Sequence, residues 1–346
     1  MGEPQQTALV LGAAGAIGAL GGIPPLARAA ANRVNATRAL TTIDEEIRSA
    51  EESRPSGALR EEVFADHLEK LRDERTYVAK VAEGSVQLYL WDRDRGHIVE
   101  MVGDFTKEYH RVITYTPGTF TNMQSFYDGS VQEAAKWFTG ENSGAVGFVW
   151  KGAEFPGQTR ELGKPVDTFV GINEANAQQL ALDTGSALAA FQDGIRADPR
   201  IDGSQSIAMG HSWGLAATTG SEVAGAHYDQ VHSLAGAWMP QGWDADGDTG
   251  YHHWSYTDFL SVAQDFGLVG EGNVPDTDPA FTSTIYESDE DSTIYIPTTT
   301  NPWAPTPPGE IRSASGAGLT ENHTLIATQE DKNLEALLDM RARMDR

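Results

Sequence analysis

The sequence contains no cysteine. That absence excludes disulfide bonds, thiolate zinc sites, iron–sulfur clusters and a cysteine nucleophile. If the protein performs covalent catalysis, its nucleophile must therefore be a hydroxyl, a carboxylate or an amine.

Basic residues are scarce. Lys and Arg together number 25 against 50 Asp and Glu, so the formal net charge of the 346 residues is −25 at pH 7. A strongly acidic surface repels the phosphates of nucleic acids and of anionic lipids. We therefore expect neither a nucleic-acid partner nor binding to an anionic membrane.

Long apolar runs are also missing. The most apolar stretch, residues 8–26, is rich in glycine and is broken by Pro24 and Pro25. The only charge that precedes it is the negative charge of Glu3. We therefore expect no membrane span and no Sec signal peptide, which favours the cytoplasm, with export by a non-Sec route as the alternative.

The spacing of apolar residues changes near residue 84, from a helical period to an alternating one. Before that point the apolar side chains recur at helical spacing, which predicts a helix from about residue 24 to 40 and a loop or frayed helix over residues 45–57. After it, an alternating pattern predicts a β-hairpin, followed by short apolar strands and helices in alternation. We expect an N-terminal helical segment, residues 1–83, packed on a larger domain, residues 84–346.

The larger domain is predicted to contain a mostly parallel sheet flanked by helices. Its short apolar runs are typical of strands that are buried on both faces. Helical segments separate these runs, notably over residues 173–197, and such crossovers join parallel strands. The predicted strands include residues 112–115, 145–150, 206–209, 231–237 and 251–257.

The segment Gly210-His211-Ser212-Trp213-Gly214 matches the G-x-S-x-G pattern. A predicted strand leads into it and a helix-compatible segment follows, which is the strand–turn–helix setting of a nucleophile elbow. We therefore predict that Ser212 is a nucleophile at a helix N-terminus, where the helix dipole favours a developing anion. The alternative is an inert serine in a glycine-rich turn.

In folds with such an elbow, the acid and then the histidine follow the serine in chain order. Of the nine histidines, His323 is the one that leaves room for an acid-bearing strand and turn before it. Asp258 is the best-placed acid because it directly follows the predicted strand 251–257, and these two residues complete the predicted triad. The competing acids are Asp265, Asp276 and Asp278.

An oxyanion hole needs two backbone donors. One predicted donor is the N–H of Trp213, which directly follows the nucleophile. The other is the N–H of Thr119 or Phe120, in the Pro-Gly loop that follows the third strand. Trp213, Trp243 and Phe120 are also predicted to line an apolar acyl pocket.

The sequence resembles the actinobacterial α/β-hydrolase family that was formerly listed as a domain of unknown function. The resemblance covers roughly residues 10–340 and implies an α/β-hydrolase fold and a serine hydrolase, with Ser212, Asp258 and His323 in the triad roles. It is carried by Gly18-Ala19-Leu20-Gly21-Gly22-Ile23-Pro24, Arg28, Ala31-Asn32-Arg33, residues 88–92, Pro117-Gly118-Thr119, the G-x-S-x-G segment, Pro279-Ala280-Phe281 and His323.

Residues 12–18 resemble the glycine-rich turn of a dinucleotide-binding fold. Such a turn needs an uninterrupted helix after it and an acidic residue about 20 residues further on. Here Pro24 and Pro25 interrupt the helix, and residues 36–38 offer no acid. We therefore expect no nucleotide cofactor.

Three carboxylates, Asp244, Asp246 and Asp248, alternate as in half of a calcium-binding loop. However, Thr249 and Ser255 occupy the positions where such a loop needs Gly and Glu. These three residues are weak metal candidates, and a solvated acidic loop is the favoured interpretation. We expect that the protein uses neither a metal nor an organic cofactor.

The sequence thus favours a serine hydrolase that cleaves a small-molecule carboxylic ester through an acyl-enzyme. Peptidase or amidase activity is an alternative, because the same triad performs both reactions. A catalytically silent α/β-hydrolase scaffold, serving as a binding or secretion-associated module, is the alternative from another class.

We predict that EDTA leaves both ester hydrolysis and the melting temperature unchanged, because neither the triad nor the oxyanion hole needs a cation. Melting curves with calcium and with EDTA test the acidic loop, since a ligand that binds only the native state raises its stability. A loss of activity on chelation that calcium restores would contradict the prediction.

Overall fold

The computed structural model describes residues 22–54, 58–160, 163–256, 273–286, 293–296, 309–312 and 322–346. An eight-stranded sheet forms the core, in the strand order β1-β2-β4-β3-β5-β6-β7-β8. The strands are β1 (Gln87–Asp92), β2 (His97–Val102), β3 (Arg111–Thr116), β4 (Ala145–Lys151), β5 (Gln205–His211), β6 (Gln230–Leu234), β7 (Gly250–Tyr256) and β8 (Phe281–Tyr286).

Strand β2 is antiparallel to both of its neighbours, and all pairs from β4 to β8 are parallel. This topology is that of the α/β-hydrolase fold, as predicted. A separate antiparallel hairpin pairs β9 (Thr293–Ile296) with β10 (Gly309–Arg312), between β8 and the C-terminal helix.

Helices flank the sheet. They are α1 (Pro25–Glu52), α2 (Ala58–Glu83), α3 (Met123–Tyr127), α4 (Glu133–Phe138), α5 (Pro165–Ala175), α6 (Gln178–Ile195), α7 (Pro199–Asp202), α8 (Gly214–Val223) and α9 (Leu334–Met344). None of the helices in the described ranges is long and apolar enough to cross a membrane.

Helix α1 packs against α2 and against the edge strand β1. The Nδ2 of Asn32 donates to the carbonyl oxygens of Leu88 and Tyr89, at 2.9 and 3.2 Å, where a bulge interrupts the pairing of β1 with β2. The guanidinium of Arg28 lies 3.8 Å from the centroid of the Tyr89 ring. Arg28 and Asn32, two residues that carry the family resemblance, thus join the helical segment to the sheet. The division at residue 83 stays a prediction.

Helix α1 is longer than predicted, since it continues past residue 40 to Glu52. The stretch expected as a loop or frayed helix, residues 45–57, is helical as far as Glu52, and its carboxylates pair with basic residues of distant segments. Glu51 pairs with Arg72 of α2 at 2.8 Å, and Glu46 pairs with Arg93 of the β1–β2 turn at 2.6 Å. Such partners lie far away in sequence, which is why local composition did not reveal them.

Two predicted elements differ from the observed ones: a helix is interrupted, and a strand is shorter than expected. The helix expected over residues 173–197 is broken between α5 and α6, where the carbonyl of Ala175 accepts a hydrogen bond from Nε1 of Trp238 at 3.1 Å. The strand expected over residues 231–237 ends at Leu234, because Ala235 has a left-handed φ of 44° that turns the chain.

A buried carboxylate links helix α8 to strand β7. Oε1 of Glu222 accepts from the Tyr251 hydroxyl at 2.7 Å, and Oε2 accepts from Nε1 of Trp243 at 2.8 Å. Burial nevertheless raises the pKa of Glu222 to about 7, against the opposing effect of these two hydrogen bonds. The folded protein therefore keeps this proton at a pH where the unfolded chain has lost it.

We predict that Glu222→Gln becomes relatively more stable than the wild type as the pH rises. Between pH 4.5 and 7 the unfolded wild-type chain ionises Glu222 while the folded protein holds the proton, so the free energy of unfolding falls with pH. The variant lacks this fall. Melting temperatures at pH 5 and pH 8 measure the effect, with the exposed Glu141→Gln as control. A variant-minus-wild-type difference that does not change with pH would contradict the prediction.

Candidate active site

Ser212 lies in the turn between β5 and α8, at the carboxyl edge of the sheet. Its φ of 54° is left-handed, a conformation that is strained for a residue with a β-carbon. Two hydrogen bonds of 3.0 Å hold it: the Ser212 N–H donates to the Leu234 carbonyl, and the Ser212 carbonyl accepts from the Ala237 N–H. Strand β6 and the loop after it thus clamp the strained turn.

The glycines on either side of Ser212 allow close backbone packing. A β-carbon at Gly214 would lie 2.0 Å from the Thr116 carbonyl oxygen, and one at Gly210 would lie 2.7 Å from the backbone of Leu215. Both contacts are closer than real β-carbons allow. Glycine is therefore required at both positions of the G-x-S-x-G segment, and the serine stands on a tight strand-to-helix turn.

A cavity of about 580 Å³ opens at this edge of the sheet. Ser212 and His323 both line it, so the fold brings two predicted triad members, more than 100 residues apart in sequence, to one space. Its walls come from the loop after β3, the end of α5, the loop after β6 and the segment around His323. Most of the lining is apolar, including Phe120 and Trp238.

His323 stands in a single helical turn, residues 322–325. The Nε2 of His211 donates to the carbonyl oxygen of His323 at 3.0 Å, and the two rings lie 5.2 Å apart. His211 is the residue directly before the nucleophile. The elbow therefore contacts the backbone of the predicted base, a role for His211 that the sequence did not indicate.

The predicted acid, Asp258, lies outside the described residues, as does its competitor Asp265. The other two competitors contact other groups. Oδ1 of Asp276 lies 3.0 Å from Nε2 of His253, and Asp278 accepts from the N–H of Ala280 at 2.9 Å.

His253 also contacts a serine, because its Nδ1 lies 2.7 Å from Oγ of Ser233. Ser233 and His253 are neighbours on β6 and β7 and are both buried. The sequence pattern does not indicate this Ser233–His253–Asp276 arrangement, because the parallel register brings Ser233 to His253 and the turn before β8 brings Asp276 to His253. The seryl oxygen is fully covered, so the arrangement is a structural link and not a second nucleophile.

The loop after β3 touches the nucleophile. A β-carbon at Gly118 would lie 2.8 Å from Cβ of Ser212. The N–H of Phe120 donates to the Pro156 carbonyl at 2.8 Å, so it is not available to an oxyanion, which corrects one of the two alternatives for this loop. Neither the N–H of Thr119 nor that of Trp213 has a backbone acceptor among the described residues.

The predicted aromatic lining is correct in part. Phe120 and Trp213 line the cavity, but Trp243 does not, because its indole is held by Glu222 on the far side of α8. Trp238 takes its place in the cavity wall. Phe155 packs on Trp213, with ring centroids 5.2 Å apart, and supports it from outside the cavity.

The acidic loop makes hydrogen bonds with other groups of the protein. Both carboxylate oxygens of Asp246 are engaged, one 3.0 Å from Nδ1 of His227 and the other accepting from the N–H of Asp248 at 3.0 Å. In the described part of the chain, no group of three or more His, Cys, Asp or Glu side chains is placed so that it could hold a metal ion.

The strand order and the strand–turn–helix elbow are those of the α/β-hydrolase fold. No protein-family model matches the sequence, and no curated protein matches it.

Among solved structures, the chain is similar to a dienelactone hydrolase-like promiscuous phosphotriesterase from metagenomic libraries, at 15% identity and a TM-score of 0.35, covering 67% of this chain and 90% of that one. It is also similar to a thermophilic esterase from Thermogutta terrifontis, at 10% identity and a TM-score of 0.40, covering 75% and 90%. A carboxylesterase from Mesorhizobium loti matches at 12% identity and a TM-score of 0.34, covering 58% and 89%. Similarities this distant transfer neither a substrate nor a mechanism to this chain.

We predict that Asp258→Asn lowers ester turnover by roughly ten-thousand-fold, because the wrong histidine tautomer is then favoured. The matched control is Asp276→Asn, which removes the partner of His253. It should lower the melting temperature and leave turnover within a few-fold of wild type. If Asp276→Asn is the variant that loses ester turnover, the acid of the triad has been assigned to the wrong residue.

Proposed function

We propose that this protein is a serine hydrolase that cleaves carboxylic esters through an acyl-enzyme, with Ser212 as nucleophile, His323 as base and Asp258 as acid. The observation that carries the proposal is the strained Ser212 backbone at the mouth of a cavity that His323 also lines. Strain of this kind persists where the surroundings hold it in place, and it is concentrated at functional sites.

The chemistry follows from these positions. The Ser212 Oγ attacks the ester carbonyl while His323 takes its proton, and the tetrahedral oxyanion forms. His323 then gives the proton to the leaving alkoxide, which departs as the alcohol. Water, deprotonated by the same histidine, attacks the acyl-enzyme. The second tetrahedral intermediate then collapses, the carboxylic acid leaves, and His323 returns the proton to the Ser212 Oγ.

The oxyanion is assigned to the N–H groups of Trp213 and Thr119. Both lie beside the nucleophile, and both lack a backbone acceptor in the described part of the chain. The N-terminus of α8 adds its dipole at the same place. Donors fixed in this way stabilise the transition state without reorganisation.

The substrate is proposed to be an uncharged ester with an apolar acyl group. The cavity walls are mainly apolar, and Phe120 and Trp238 face the space in front of Ser212. The net charge of −25 disfavours strongly anionic substrates. Membership of the actinobacterial α/β-hydrolase family is part of the same proposal.

We predict that Ser212→Ala lowers ester turnover on the order of a million-fold while the protein still folds, since removal of a triad nucleophile has this effect. A fluorophosphonate probe should label the wild type at Ser212 and should not label the variant. Ser130→Ala is the matched control because Ser130 lines the same cavity, and it should keep both labelling and turnover. A wild-type protein that the probe fails to label would support the silent-scaffold alternative instead.

A further inference from the structure

Helix α5 carries its apolar side chains on the outside. Val166 and Phe169 are 74% and 75% exposed, and Ile172 is 44% exposed. These residues are spaced by three and therefore lie on one face of the helix. Together they form a patch that we call the α5 face.

The two acidic side chains of the same helix contact the neighbouring loop. Oε2 of Glu174 accepts from the N–H of Gly157 at 2.8 Å. Glu174 and Asp167 each have a carboxylate oxygen 3.9 Å from the guanidinium of Arg160, and both are partly shielded from solvent. An ordinary surface helix buries its apolar stripe and exposes its charges. In helix α5 the two acidic side chains make inward contacts, whereas three apolar side chains are exposed beside the polar Asn173.

The α5 face is continuous with the candidate active site. Ile172 belongs to the α5 face and also lines the cavity in front of Ser212. On the other side of the helix, a β-carbon at Gly171 would lie 2.3 Å from the Phe120 ring, so the helix packs directly on a cavity wall. An apolar path therefore leads from Phe169 at the surface, across Ile172, to the nucleophile.

We propose that the α5 face adsorbs the protein to the surface of an aggregated, uncharged acyl ester, such as an emulsified glyceride. The inference rests on the proposed ester hydrolysis and names the physical form of its substrate. A face that ends in the catalytic cavity fits an occupant that must send an acyl chain into that cavity. The net charge of −25 repels an anionic surface, whereas an uncharged surface is not repelled. We therefore favour an uncharged surface as the occupant.

The test compares the full-length wild type with the double variant Val166→Ser/Phe169→Ser. Adsorption to trioctanoin emulsion droplets is measured by flotation, and hydrolysis is measured on the same emulsion and on monomeric p-nitrophenyl acetate. We expect adsorption and emulsion hydrolysis to fall about tenfold or more, because the two serines lack the favourable free energy of transferring apolar side chains out of water. Hydrolysis of the monomeric ester should stay within twofold. Val63→Ser/Ile285→Ser, which removes similarly exposed apolar groups elsewhere, is the control and should change none of the three.

A second arm adds an anionic surfactant to the droplets, which should weaken adsorption of the wild type at low salt. Equal adsorption of wild type and double variant would overturn the inference. An equal loss of hydrolysis on the emulsion and on the monomeric ester would also overturn it, because the α5 face would then serve only the structure of the protein. If the wild type is a dimer and the double variant is a monomer, the α5 face binds a second copy of the chain and the inference is overturned. Adsorption without hydrolysis of either ester would retain the docking face and reject the proposed function.

Discussion

The left-handed backbone of Ser212 is held by contacts from the strands on both sides of β5 and the loops that follow them. Backbone strain of this kind costs on the order of 1–3 kcal/mol, and it survives only where neighbouring elements leave no alternative. Here the Leu234 carbonyl and the Ala237 N–H fix the turn from the side of β6, while Thr116 and Gly118 press on it from the side of β3. The cavity, the helix start behind it and the access to the seryl oxygen all depend on that single conformation.

Sequence reasoning reached the parts of the structure that local pattern encodes. The parallel sheet follows from unalternated apolar runs between helices, and Ser212 follows from the glycines on either side of it, each of which the structure explains by a close backbone approach. His323 was predicted from chain order, because it leaves room for an acid-bearing strand and turn before it. Its approach to the cavity is consistent with that chain order.

The rest could not be predicted, because it depends on contacts between distant parts of the chain. At the break after Ala175, the helix-end carbonyl of that residue accepts a hydrogen bond from an indole of another loop. The engagement of the Phe120 amide depends on the position of Pro156, which no local pattern specifies. The pairing of His253 with Asp276 requires both the register of two strands and the course of the chain beyond them. Tertiary contacts determine each of these three features, and local sequence propensity does not indicate them.

The hydrogen bonds from Asn32 to strand β1 also bear on association between molecules. An edge strand presents a row of unpaired backbone groups that can template pairing with another chain. Asn32 occupies the carbonyls of Leu88 and Tyr89 at the bulge, and helix α1 covers the strand beside them. These two carbonyls are therefore unavailable to a further strand. The N-terminal helices thus disfavour pairing of this edge with another chain, and they also pack against the sheet.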